Sequence, residues 1–206
     1  MTDIPAHTLP FDEWLTFLLD EPDSVDWDSD PQQFLERLTS VFEEPEAMLL
    51  GRTPEQLNKS LWTLVTEDGL LCVLLRTDLP LHSRQRCAAS IKSLYSKLFA
   101  KHCSEKLSHT LRTYDESMSP LNSVCYMWWD LFPTWGSKDD KASKTMNSEF
   151  LQVLSDILKI PHVACIESAL HGLGHWHLTH PTEVEHIVDQ FLKTGPKLSE
   201  PLRTYA

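Results

Sequence analysis

A hydrophobic period of about 3.6 residues runs through almost the whole chain, and it constrains the fold more than any other feature. The chain has only six glycines, and apolar and polar residues rarely alternate in the pattern of a strand. Several periodic segments begin at a proline, which is favoured at the first position of a helix because no partner is needed there for its missing N–H. The sequence therefore predicts an all-α protein.

The predicted helices follow one another with short connections. Asp30 followed by Pro31, and the run from Thr53 to Gln56, are clear start signals, since each joins a capping side chain to a proline. The polar stretch 136–144 is predicted to be a long loop. The predicted helices cover residues 11–19, 31–42, 54–65, 70–75, 81–102, 107–111, 119–131, 147–159, 162–176 and 182–194, and another begins after Pro196.

Two of the predicted helices begin alike, after Pro80 and after Pro161. The second reads HVACIESALHGLGHW, with a proline before it, an apolar stripe and an Ala-Leu-x-x-Leu-Gly ending. It resembles the HEAT/armadillo class of helical repeats, well over residues 160–195 and loosely over residues 80–103. The resemblance implies antiparallel helix pairs in an α-solenoid-like, right-handed array with a concave binding surface, and it favours a close packing contact at Gly174. A compact helical bundle is the alternative.

Length and charge indicate one domain with an acidic beginning. A chain of 206 residues suits a single domain, with an acidic helix and linker at residues 1–30 and a repeat-like body at residues 31–206. Residues 1–60 hold fourteen acidic and three basic residues, whereas residues 76–112 hold eight basic and two acidic ones. The two regions can attract each other within the fold, or either can steer a partner of opposite charge.

Composition also indicates where in the cell the protein is expected. The apolar runs are far shorter than the roughly 18 residues that a membrane span needs. The first ten residues contain no basic region followed by an apolar stretch, so no secretory signal is predicted. Five widely spaced cysteines without a CxxC pair indicate reduced, mostly buried thiols. We therefore expect a cytoplasmic protein outside the membrane, and its net charge of −12 disfavours general nucleic-acid binding.

Histidines concentrate near the end of the chain, where six of the ten lie between His162 and His186. Helical spacing puts several of them and two glutamates on polar stripes of neighbouring helices. Imidazole and carboxylate groups on facing helical turns can bind zinc, iron or nickel. The simpler interpretation is a solvated polar face, because the chain has no HExxH motif. The candidate metal ligands are Glu167, His171, His175, Glu183 and His186.

Two further groups of residues are candidates for a binding surface. Three tryptophans fall within eight residues, and aromatic side chains often anchor protein partners. A buried helix end is the simpler interpretation, although adjacent tryptophans cannot share the centre of one stripe, so at least one is expected at a boundary. Basic residues line one face of the helix after Pro80, which is either a phosphate-binding face or a solvated one. The candidate surface residues are Trp128, Trp129, Trp135, Arg86, Lys97 and Lys101.

Motifs of the common catalytic sites are missing from the sequence, which has no GxSxG, no P-loop and no GxGxxG after a strand. The sequence therefore favours a non-catalytic protein-binding or scaffolding module, one version being an acidic inhibitor of the immunity type. The alternatives are a metal-binding helical protein or metal-dependent enzyme, and a phosphate or nucleic-acid binder. We expect a protein partner, no membrane, and no cofactor unless the histidines bind a transition metal such as zinc.

Overall fold

A computed structural model describes residues 3–66, 70–109, 117–136, 143–194 and 199–206. The described residues are mostly helical, which confirms the all-α prediction, and the two short strands β1 (Ile4–Pro5) and β2 (Val25–Asp26) pair in parallel. None of these helices combines the length and the apolar composition of a membrane span. The helices are α1 (Phe11–Asp20), α2 (Pro31–Glu43), α3 (Pro54–Thr66), α4 (Leu81–Leu94), α5 (Ala100–His102), α6 (Leu121–Met127), α7 (Lys144–Ile157), α8 (Val163–His177), α9 (Pro181–Thr194) and α10 (Glu200–Tyr205).

The capping signals in the sequence act as predicted. The Asp30 carboxylate accepts a hydrogen bond from the Gln33 N–H, and Pro31 is the first residue of α2. At α3, the Gln56 N–H donates to the Thr53 hydroxyl, and the Thr53 N–H donates back to the Gln56 side chain. This reciprocal pair is a capping box, which satisfies two backbone donors at the start of the helix.

Three predicted segments reach beyond the described residues. The helix expected at 107–111, the loop expected at 136–144 and the helix start after Pro196 all include residues outside the described ranges. The helix expected at 70–75 is instead a 3-10 helix, Leu70–Leu75.

The acidic segment 20–30 is not a plain linker. It forms two short 3-10 turns with β2 between them. Val25 is buried, and the Trp27 ring packs against the rings of Trp14 and Phe34 at 6.0 and 5.4 Å. The apolar residues between the acidic ones therefore fix this segment to α1 and α2, because their burial outweighs the tendency of like charges to extend a chain.

When α4, the π-helical turn Tyr95–Phe99 and α5 are counted as one helix, alternate helices along the chain pack beside one another. In one series α1 contacts α3, α3 contacts α6, and α6 contacts α8. In the other series α2 contacts α4, α4 contacts α7, and α7 contacts α9. Helix α8 also contacts α7, α9 and α10, so it has neighbours on most sides. This is why α8 buries polar residues such as Glu167 and Ser168 along with its apolar stripe.

The long helix predicted after Pro80 has one interruption. A π-helical turn, Tyr95–Phe99, lies between α4 and α5. The apolar face that the sequence predicts is fully buried in α4 and in the turn itself. Its residues are Cys87, Ala88, Ile91, Leu94, Tyr95, Leu98 and Phe99.

Candidate metal centre

Two histidines and one aspartate meet between α6 and α8. Asp130 lies just after α6, and His171 and His175 lie one turn apart on α8. The Oδ1 atom of Asp130 is 2.8 Å from Nε2 of His175 and 3.9 Å from Nε2 of His171. One oxygen and two nitrogens thus lie within 4.8 Å of one another. Because zinc binds such atoms at about 2.0–2.2 Å, a single ion could bind all three side chains after small adjustments.

Both Nε2 atoms are buried, and within the described part of the chain neither has a hydrogen-bond partner. The Nε2 atom of His175 lies at ion-pair distance from Oδ1 of Asp130, but the ring is not aligned for a hydrogen bond between the two atoms. A buried polar atom without a partner costs about 1–3 kcal/mol. A bound cation would remove this cost at both nitrogens.

Aromatic rings hold the two imidazoles in position. The Trp135 ring stacks on His175 with centroids 4.7 Å apart, and the Tyr126 ring stacks on His171 at 4.4 Å. Trp135 is itself anchored, because its indole N–H donates to the carbonyl of Trp129 at 2.9 Å. Stacking restricts rotation of both rings, so their Nε2 atoms stay on the side of Asp130.

The other ring nitrogen of His171 has a partner. The hydroxyl of Tyr205, on α10, lies 3.0 Å from Nδ1 of His171 and 3.3 Å from the hydroxyl of Tyr126. The Tyr205 ring also stacks on His109 with centroids 4.1 Å apart. The Nδ1 side of His171 is therefore engaged, whereas its Nε2 side has no hydrogen-bond partner among the described residues.

The surroundings determine the protonation of these groups. Burial lowers the pKa of His171, and the neighbouring His175 lowers that pKa further, although Asp130 acts in the opposite direction. These effects favour the neutral form of His171, which has a lone pair on one ring nitrogen. Burial also raises the pKa of Tyr205 above its ordinary value, so its hydroxyl keeps its proton.

Glu167 lies on the same stripe of α8 as the histidines but makes different contacts. Its carboxylate is fully buried and accepts hydrogen bonds from the backbone N–H groups of Ser108 and His109 at 2.8 and 2.9 Å. It also lies 2.6 Å from Nδ1 of the His109 ring. Both carboxylate oxygens of Glu167 therefore accept hydrogen bonds, so the stripe is packed rather than solvated at this residue.

Glu183 and His186 lie apart from this group. Both are exposed on α9, and the set of atoms within 4.8 Å of one another does not include them. His171 is directed toward Tyr126 and Tyr205 rather than toward α9, so an antiparallel α8–α9 hairpin does not bring it to His186.

Asp130 is the site residue that sequence reasoning missed. Local spacing on α8 pairs His171 with His175, but Asp130 belongs to a different helix pair and only the packing of α6 on α8 brings it near. The one signal in the sequence is an aspartate inside an otherwise aromatic and apolar run, from Tyr126 to Phe132.

Trp128 and Trp129 are both fully buried, so neither offers a surface to a partner. The prediction that at least one of these two tryptophans lies at the boundary between core and surface is wrong. Helix α6 ends at Met127, and the turn that follows directs the two rings into different parts of the core. Trp128 packs against rings of α2 and the π-helical turn, and Trp129 packs against that turn and the ring of Phe132. Trp135 is the exposed member of the three.

The basic face of α4 and the turns after it pairs with the chain's own acidic region. The ion pairs are Arg86–Glu43 at 2.9 Å, Lys97–Glu44 at 2.7 Å and Lys101–Glu46 at 3.0 Å. Attraction within the fold therefore accounts for this part of the charge separation. A phosphate group at this face would have to compete with three carboxylates.

A scan against protein-family models and searches of curated proteins and of solved structures found no match to this chain.

Proposed function

We propose that this protein binds a transition-metal ion through Asp130, His171 and His175. The observation that carries the proposal is the pair of buried Nε2 atoms without hydrogen-bond partners beside one carboxylate oxygen. Two imidazoles and one carboxylate are the ligand set of many catalytic zinc sites and of non-haem Fe(II) sites.

Three protein ligands suit a site that also takes a ligand from solution. Structural zinc sites are usually closed by four protein ligands, whereas catalytic sites use three and keep a position for water or substrate. The three side chains are each about a quarter exposed, although both Nε2 atoms are buried, so solvent lies close to the site without touching the two nitrogens. We therefore propose a site that keeps a coordination position for water or substrate, rather than a closed structural site.

The order of helix contacts supports a second candidate function. When α4, the π-helical turn and α5 are counted as one helix, each contact within the two series joins a helix to the second helix along the chain, a pattern that supports stacked helix pairs. We infer a HEAT-like, α-solenoid-like array, and such arrays present a concave face to protein partners. A protein-binding role is compatible with a metal site, because Trp135 is partly exposed beside His175.

Metal binding can be tested with tag-free protein and a histidine control. We expect the wild-type chain to bind one zinc ion, and His171→Ala or His175→Ala to weaken that binding by at least about 100-fold. His186→Ala is the matched control, since it removes an exposed imidazole from the neighbouring helix. Isothermal titration with zinc, together with metal analysis after purification, would measure the effect. No binding by the wild-type chain, or an equal loss in His186→Ala, would overturn the proposal.

A further inference from the structure

We infer that Tyr205 is a positioning residue that favours the His171 tautomer with its hydrogen on Nδ1, which leaves the lone pair on Nε2 for the metal. Tyr205 thereby couples metal binding to the docking of α10 on α8. The inference rests on the proposed metal site. It concerns a residue outside the three ligands, on a different helix.

The position of Tyr205 is fixed by several contacts. Its hydroxyl lies 3.0 Å from Nδ1 of His171 and 3.3 Å from the Tyr126 hydroxyl, and its ring stacks on His109. On the same helix Leu202 is almost fully buried, and α10 contacts α8. Apolar packing therefore docks α10, and docking brings the Tyr205 hydroxyl to one defined atom of His171.

The Tyr205 hydroxyl affects which ring nitrogen of His171 carries the hydrogen, because a neutral imidazole has one N–H and one lone pair. A metal bound at Nε2 needs the lone pair there, so the hydrogen must be on Nδ1. The Tyr205 hydroxyl can accept that hydrogen bond while donating its own hydrogen to Tyr126. The opposite form of His171 would bury an Nε2–H that has no acceptor among the described residues. Ligand histidines usually donate their other N–H to such a partner, which fixes the ring for the metal.

The coupling between metal binding and the docking of α10 follows from thermodynamic linkage. If docked Tyr205 raises the affinity of the site for metal by some factor, bound metal favours the docked state of α10 by the same factor. Helix α10 is short, with six residues, so its position depends on contacts with α8 rather than on its own stability. Metal should therefore slow hydrogen exchange at the amides of α10.

Tyr205→Phe isolates the hydroxyl, since it keeps the ring that stacks on His109. We expect it to weaken zinc binding by about 10- to 100-fold. Thr204→Ala is the matched control, because it removes an exposed hydroxyl from the adjacent position of α10 and should bind zinc as the wild-type chain does. In ¹⁵N NMR of the metal-free protein, the His171 hydrogen should be on Nδ1 in the wild-type chain and shared between both nitrogens in Tyr205→Phe.

The possible outcomes separate this inference from the proposed function. Wild-type affinity in Tyr205→Phe, an unchanged His171 tautomer, or equal exchange of α10 with and without zinc would overturn the inference and leave the metal site standing. A wild-type chain that binds no zinc would overturn both. A variant that only loses stability would show a lower melting temperature with an unchanged tautomer, which would also count against a positioning role.

Discussion

Gly172 lies where α8 packs against the turn after α6. A Cβ atom at this position would lie 2.7 Å from both Cβ and Cγ of Trp129, and 3.0 Å from a methyl of Leu154. A Cβ atom at Gly174 would meet nothing within 4 Å. The close contact that the repeat resemblance favours at Gly174 is therefore at Gly172, and it allows α8 to approach Trp129 and the adjoining Asp130.

Alanine substitutions at these two glycines should change stability in opposite directions. Gly172→Ala forces an extra carbon against a buried tryptophan and should lower the free energy of unfolding by about 1–3 kcal/mol. Gly174→Ala meets open space and should raise it by up to about 1 kcal/mol, because alanine favours the helix. Urea unfolding would measure both values. Equal destabilisation by the two substitutions would contradict the packing described at α8.

The five cysteines should differ in reactivity because of access rather than acidity. A hydrogen bond with Cys125, assisted by His162, lowers the pKa of Cys165 to about 7, whereas burial raises the pKa of Cys87 to about 12. Burial also raises the pKa of Cys72, but Cys72 is the exposed thiol and the others are buried.

Iodoacetamide at pH 7.5 should therefore label Cys72 alone in the folded protein, and all five cysteines after unfolding in urea. Peptide mass spectrometry before and after unfolding would identify the labelled positions. If Cys165 in the folded chain were labelled as fast as Cys72, acidity would outweigh access and the buried position of Cys165 would be wrong.

At the scale of elements, helix starts and buried faces were predictable because their causes are local. Asp30 caps α2 through its own side chain, and Thr53 and Gln56 cap α3 through a reciprocal pair three residues apart. The π-helical turn Tyr95–Phe99 has no such local signal. The turn itself contacts α6 and α8, and tertiary packing overrides the α-helical period there.

Lys97 should matter more to stability than Arg86, although both belong to the basic face. The ammonium of Lys97 donates to the carbonyl of Glu43, the last residue of α2, at 2.6 Å and to the carboxylate of Glu44 at 2.7 Å. Lys97→Ala removes a cation from a helix C-terminus and should cost about 1 kcal/mol. Arg86 forms an exposed pair with Glu43, so Arg86→Ala should leave the free energy of unfolding unchanged within error. Chemical denaturation of both variants tests this order, and a larger loss in Arg86→Ala would contradict it.

At the scale of the whole molecule, the candidate site combines segments that are distant in the sequence. His171 and His175 were predictable as a pair, because one helical turn separates them. Asp130 follows α6 and Tyr205 lies on α10, and only the packing of both elements on α8 brings the two residues to the same imidazole. Periodicity predicts which face of a helix is polar, but it does not predict which distant helix covers that face.

A metal that binds the folded chain should also stabilise the whole molecule. At a concentration of 100 times its dissociation constant, an ion bound to the folded state alone adds about 2.7 kcal/mol. For a chain of this size that corresponds to a rise in melting temperature of about 5–11 °C, which a chelator should reverse. Asp130→Asn keeps the size of the side chain but weakens the ligand, so the rise should shrink to a small fraction of the wild-type value.

Asp189→Asn provides the control for that thermal measurement. Asp189 is an exposed aspartate on α9 that pairs with Lys193, so its loss removes the same charge without touching the candidate site. We expect this variant to keep the full zinc-dependent rise, measured by differential scanning calorimetry at several zinc concentrations. If Asp130→Asn kept the rise as well, the stabilising ion would bind elsewhere in the molecule. The buried nitrogens of His171 and His175 would then need another partner to explain their position.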